Sequence, residues 1–138
     1  MPDPHAISVD EPGRRPPCRP ADARSTVRRV VAERCRARHQ RLGPGAMDDA
    51  LLVTSELATN AIVHGGGITG FDVDVDSAGV RVSVSDRSTE LPVAPAAAPD
   101  RTQRHGRGWP IVCHLARDVH VCELPCGGKR ITAVVPLA

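Results

Sequence analysis

Two short runs of strict alternation constrain the architecture of this chain more than any other feature. Phe71, Val73 and Val75 alternate with Asp72, Asp74 and Asp76, and Val80, Val82 and Val84 alternate with Arg81, Ser83 and Ser85. Successive side chains of a strand point to opposite faces, so each run predicts a strand with one apolar and one polar face. Ser77-Ala78-Gly79 lies between them and supplies a turn, which makes the pair a hairpin. A sheet that is dry on one side only must have that side covered by other elements.

Upstream segments provide the cover. From Ala21 to Leu42 the apolar positions Val27, Val30, Val31, Cys35 and Leu42 recur at helical spacing among arginines, and Gly43-Pro44-Gly45 ends the pattern. A second helix is predicted from about Ala46 to His64, with Leu51, Val53, Thr54, Leu57, Ala58, Ala61 and Ile62 forming a broad apolar stripe before Gly65-Gly66-Gly67. Further on, Pro110 suits the first turn of a short helix reaching Arg117, because its missing N–H would be unpaired there anyway. Strands at about 119–124 and 129–135 then flank Cys126-Gly127-Gly128. The order helix, helix, hairpin, loop, helix, hairpin predicts an α+β two-layer sandwich, with helices on one face of a mainly antiparallel sheet.

Two stretches stand outside this plan. Residues 1–20 carry Pro2, Pro4, Pro12, Pro16, Pro17 and Pro20 among arginines and acids, a composition that reads as a flexible tail. Residues 87–105 hold Pro92, Pro95, Pro99 and an alanine run without either periodicity, the mark of a functional loop or a disordered one. With 138 residues in all, the remainder suffices for one compact domain and not for two.

Composition then removes several function classes. The only aromatics of the Phe, Trp and Tyr type are Phe71 and Trp109, so stacking platforms for single-stranded nucleic acid are absent and the core must be aliphatic. A formal net charge of +2 is too small to indicate a phosphate-backbone partner, although Arg14, Arg15, Arg19, Arg24, Arg28 and Arg29 cluster near the start. No run approaches the roughly 20 apolar residues of a membrane span, and no apolar signal segment opens the chain, so a cytoplasmic location is expected. The five cysteines, an odd number without paired spacing, are expected as reduced thiols.

Three places could carry chemistry. On the second helix Glu56, Asn60 and His64 follow one another at four-residue intervals along one face, each about 6 Å from the next. A carboxylate, an amide oxygen and an imidazole there could accept a proton, ligate Mg²⁺ and contact phosphate; a solvated helix edge fits the same spacing. Asp86 leaves the strand Val80–Ser85, where it could accept a hydrogen bond from an amine at the sheet's edge or end the strand in a turn. Gly106-Arg107-Gly108 precedes Pro110, and glycines before a helix let backbone N–H groups approach an anion.

Their order carries a resemblance. Glu56-Leu57-Ala58-Thr59-Asn60-Ala61-Ile62-Val63-His64 resembles the N box of the GHKL ATP-binding proteins, and Val84-Ser85-Asp86 resembles their G1 box. Gly106-Arg107-Gly108-Trp109-Pro110-Ile111-Val112 looks like the G2 box, and Gly128-Lys129-Arg130-Ile131-Thr132-Ala133 is similar to the closing strand. Within that family the likeness is to the short anti-sigma-factor serine kinases and related actinobacterial regulators, over about residues 21–137.

The resemblance implies a Bergerat-type ATP-binding domain over residues 21–138 with a mixed, mainly antiparallel sheet and a lid at 87–108. It implies ATP and Mg²⁺ as cofactors, with Asn60 as the Mg²⁺ ligand, His64 beside the nucleotide, Asp86 on the adenine amine, and Gly106 and Gly108 shaping the lid over the phosphates. Glu56 would be the base that deprotonates a serine of an antagonist protein, with Arg107 neutralising charge during transfer. A sigma factor and that antagonist are the implied partners, and both a monomer and a homodimer are open. The sequence departs from the pattern in three places. Asp86-Arg87-Ser88-Thr89-Glu90 stands for Asp-x-Gly-x-Gly, Gly128-Lys129 stands for Gly-Thr, and Trp109 stands for the usual leucine.

Two further readings compete. One is a regulator that holds a partner without phosphoryl transfer, with or without nucleotide. The other is a zinc- or redox-responsive protein built on Cys113, His114, His120, Cys122 and Cys126, for which the spacing matches no known pair of metal clips.

Overall fold

The computed structural model describes residues 7–8, 15–90 and 105–137, without the side chains of 7, 8 and 105–108. Strand β1 is Ile7–Ser8, followed by helices α1 (Pro20–Arg38) and α2 (Ala46–His64) and by strands β2 (Ile68–Asp76) and β3 (Gly79–Asp86). Helix α3 (His105–Leu115), β4 (Asp118–Glu123) and β5 (Lys129–Val135) complete the order. The strands are arranged β1-β2-β3-β5-β4, and every pairing between them is antiparallel. The expected hairpins are therefore β2–β3 and β4–β5, joined edge to edge by the β3–β5 pairing. The parallel component of a mixed sheet does not occur among the described strands.

The alternation in the sequence sets the two faces of the sheet. Phe71 lies opposite Val84, Val73 opposite Val82 and Val75 opposite Val80, and Ile131, Ala133 and Val135 continue the same rows onto β5. All nine are buried, and helix α1 adds Ala23, Val27, Val30 and Val31 to the core while α2 adds Ala50, Leu51, Val53, Leu57, Ala58 and Ala61. Each fully buried valine or leucine contributes on the order of 1.5–3 kcal/mol through removal of apolar surface from water. Apart from Phe71, that layer is aliphatic. The other face is polar: the Ser83 and Thr132 hydroxyls are hydrogen-bonded at 2.8 Å, and Arg130 reaches Ser85 Oγ at 3.2 Å and Asp72 at 3.3 Å.

Two helix boundaries differ from the sequence pattern. Helix α1 ends at Arg38, short of Leu42, because His39 takes the left-handed conformation at φ 54° and turns its N–H back to the carbonyls of Arg36 and Cys35. Leu42 still packs against the core from the connecting segment. Helix α3 begins at His105, so Pro110 lies inside it rather than in its first turn. The missing proline N–H leaves the Gly106 carbonyl without its usual partner one turn on, and the helix survives because only that one bond is lost near its start. Residues 91–104, most of the expected lid, lie outside the described residues, and so does the expected tail except for β1 and residues 15–20.

Candidate functional site

Helix α2 delivers the first group of candidate residues. Its apolar stripe faces α1 and the sheet, which leaves Glu56 and Asn60 half-buried on its flank and His64 exposed at its end. At 1.5 Å rise per residue these three are about 6 Å apart in succession. Glu56 and Asn60 are oxygen donors on one rigid face, a set that suits a hard cation such as Mg²⁺.

The end of α2 is docked onto the end of β3. The Arg87 N–H donates to the Gly65 carbonyl at 2.9 Å, and Gly65 packs so tightly on the Asp86 side chain that an added Cβ would overlap its Cγ. Only glycine permits that approach. Asp86 is thereby held against the turn that follows His64, so the strand-end carboxylate and the α2 candidates share one edge of the sandwich. The other side of Asp86 is closed by Gly128, at φ +86°, where a Cβ would strike the Asp86 carbonyl oxygen.

Asp86 ends β3 in a turn, its Oδ1 accepting the N–H of Ser88 two residues on, and its carboxylate is also paired across the sheet. Lys129 is its cross-strand partner on β5, and the Lys129 ammonium donates to Asp86 Oδ1 at 3.1 Å and lies 2.9 Å from Oδ2. The Ser88 N–H donates to Oδ1 at 2.9 Å, and the ammonium also reaches the Ser88 carbonyl at 3.4 Å. The side chains are only 3% and 4% exposed, so this ion pair is inside the protein. A pair in that environment is held by direct contact and hydrogen bonds, and removing either partner leaves an uncompensated buried charge.

From the sequence, Lys129 stood out only as the loss of a hydroxyl. Nothing in local periodicity could have matched it to Asp86, because the β3–β5 register joins residues 43 apart in sequence. The remaining candidates lie in α3. Gly106, Arg107 and Gly108 occupy its first turn, inside the helix rather than in a loop ahead of it, and the Arg107 side chain is not among those described. Trp109 is half-buried against the core. That is a packing role for the residue standing where the resemblance expects leucine.

The cysteines show no common site. Cys18, Cys113, Cys122 and Cys126 are exposed, while Cys35 sits on α1 against the core, where burial pushes its thiol pKa above the ordinary value. His120 and Cys122 share the outer face of the edge strand β4, opposite Thr132 and Arg130. Among the described residues no three His, Cys, Asp or Glu side chains cluster so as to hold a metal ion. Nor is any described helix long and apolar enough to cross a membrane.

Helices layered on an antiparallel sheet, with a carboxylate–amide face on α2 and a buried aspartate at the end of a central strand docked on the turn after that helix, fit an ATP-binding sandwich of the Bergerat type. Residues 17–135 match the histidine kinase-like ATPase domain, and the chain belongs to that family. No curated protein matches it. The two ends of the site fit a magnesium nucleotide unequally. The α2 face offers suitable oxygen donors, whereas the Asp86 carboxylate already accepts from the Lys129 ammonium and the Ser88 N–H.

Proposed function

We propose that the chain is an ATP-binding regulator of the anti-sigma-factor kinase kind, which phosphorylates a serine of an antagonist protein and sequesters a sigma factor, switching partners as the antagonist is phosphorylated. The observation that carries this reading is the docking of α2 onto Asp86 through Gly65, which sets Glu56 and Asn60 along the helix that leads into the strand-end carboxylate. When bound, Mg-ATP supplies the γ-phosphoryl group. Asn60 would hold the cation through its amide oxygen, and Glu56 would accept the proton of the attacking serine hydroxyl. His64 and Gly106, Arg107 and Gly108 of α3 would contact the phosphates, and Arg107 would offset the developing negative charge. Rigid placement of these groups on helices supplies most of the rate, since phosphoryl transfer depends chiefly on positioning and charge neutralisation.

Titrating the purified chain with ATP by calorimetry, with and without Mg²⁺, tests this assignment beside the Asn60→Ala variant. Mg²⁺-dependent binding that weakens in the variant is expected. Binding indifferent to both the cation and the substitution would remove Asn60 from the site and the kinase reading with it.

A second reading is favoured by one specific feature. The Asp86–Lys129 pair gives the Asp86 carboxylate a charged partner without a ligand, which suits a regulator that holds its partner through the sandwich alone. Absence of ATP binding up to millimolar concentration would give that reading the lead.

A further inference from the structure

The residue facing Asp86 determines what the base end of the site can read. Two donors converge on that carboxylate. The Lys129 ammonium is at 3.1 and 2.9 Å from its two oxygens, and the Ser88 N–H is at 2.9 Å from Oδ1. The ammonium is fixed in place. Lys129 is anchored by the β3–β5 register and is itself buried, and Gly128 lets β5 come close enough to the Asp86 backbone for the pair to form. On the opposite side Gly65 presses on the same carboxylate, so Asp86 has no freedom to swing towards another donor. An amine of a bound base would have to displace an ammonium that holds a full charge in a desolvated position, and a neutral amine is the weaker donor of the two.

We infer that Lys129 is a specificity-determining residue that excludes a 6-amino purine from Asp86, so that the native chain does not distinguish adenine from a 6-oxo purine at this end. The inference rests on the proposed nucleotide reading and deepens it. Affinity then derives from the phosphate and Mg²⁺ contacts on α2, which are indifferent to the base. The chain would behave as a weak triphosphate binder without base preference, and the Asp86 contact would be recoverable by removing one side chain.

Calorimetric titration of the full chain with Mg-ATP and Mg-ITP, native and Lys129→Thr, tests this, with thermal melts run alongside. ITP lacks the exocyclic amine and carries a keto oxygen in its place, so the ATP-to-ITP ratio reports on Asp86 and is unmoved by a general loosening of the fold. The expected result is a ratio near one for the native chain and a gain of about tenfold for ATP, but not for ITP, in Lys129→Thr, as a hydrogen bond to a charged acceptor provides. Adding Asp86→Asn to the threonine variant should abolish the gain. A native chain that already favours ATP over ITP by tenfold or more overturns the inference and leaves the nucleotide reading standing. A Lys129→Thr chain that melts cooperatively and gains nothing for ATP overturns it in the same way. The native ratio needs no variant and decides the question even if the substitution unfolds the protein. Native and threonine chains that both melt cooperatively and bind neither nucleotide overturn the nucleotide reading, and the inference falls with it.

Discussion

Gly65 and Asp86 are in such close contact that the first atom of any side chain at position 65 would occupy the space of the Asp86 carboxyl group. Through this contact the end of α2 is set against the end of β3, with the Arg87 N–H bonded to the Gly65 carbonyl as a second tie. The relative placement of the helix and strand candidates depends on it.

Replacing Gly65 with alanine should therefore be costly. The new methyl meets the Cβ, Cγ and Oδ2 of the Asp86 side chain, whose carboxylate is held by Lys129, so the pair, the helix end or the strand end must move, with a loss of about 1–3 kcal/mol as for other overpacked positions. Urea denaturation of the variant against the native chain measures it. A variant as stable as the native protein would mean that the helix end is not fixed to Asp86.

The buried ion pair predicts a non-additive cycle. Lys129→Met leaves the Asp86 charge buried with only the Ser88 N–H to answer it, and a loss of about 3–5 kcal/mol is expected. Adding Asp86→Asn removes the charge and should restore a large part of that loss. Denaturant midpoints of both singles and the double variant give the coupling, and additive effects would show that the contact contributes nothing of its own.

Glu56 is half-buried on the flank of α2 and outside the apolar stripe, so Glu56→Ala should leave the melting temperature close to native. Phosphoryl transfer to a serine-bearing antagonist should fall by about a hundredfold or more with nucleotide binding unchanged, as for loss of a general base. Transfer at the native rate would exclude Glu56 as the base.

One substitution should stabilise the protein. His39 holds a left-handed backbone at φ 54° to end α1, a conformation that strains a residue bearing a Cβ and suits glycine. His39→Gly is expected to raise stability by about 0.5–1 kcal/mol, read as a higher denaturant midpoint. A lower midpoint would point to contacts of the imidazole that outweigh the backbone strain.

Cys35 should be the slowest cysteine to react in the folded chain. Burial raises its thiol pKa, so the folded chain binds that proton more tightly than the unfolded one. Its contribution to stability is complete below the ordinary thiol value and is lost as pH rises through the higher folded value. Iodoacetamide should accordingly modify Cys18, Cys113, Cys122 and Cys126 well before Cys35 in the native protein at mildly alkaline pH. Equal rates followed by mass spectrometry would show that α1 opens readily.

The helices and hairpins were legible because each is written in a local period. The valines and aspartates of β2 alternate every second residue, and the apolar positions of α2 recur every third or fourth, so both elements were recognisable together with their buried faces. The ends were less so. Helix α1 stops at a histidine that adopts a glycine-like conformation, and α3 starts ahead of a proline that ordinarily opens a helix.

The α2 face with Glu56 and Asn60 was determined by the sequence alone, since residues four apart on a helix are neighbours whatever the rest of the chain does. So was the aliphatic sandwich, once alternating strands with a single dry face required helices to cover it. The state of Asp86 was decided only by the tertiary structure. Its neighbours Gly65, after α2, and Gly128 and Lys129, where β5 begins, come from two distant parts of the chain, the last 43 residues away. A β-sheet brings such residues together through register, and register is a property of the whole assembled sheet, set by the requirement that every apolar row face the same core.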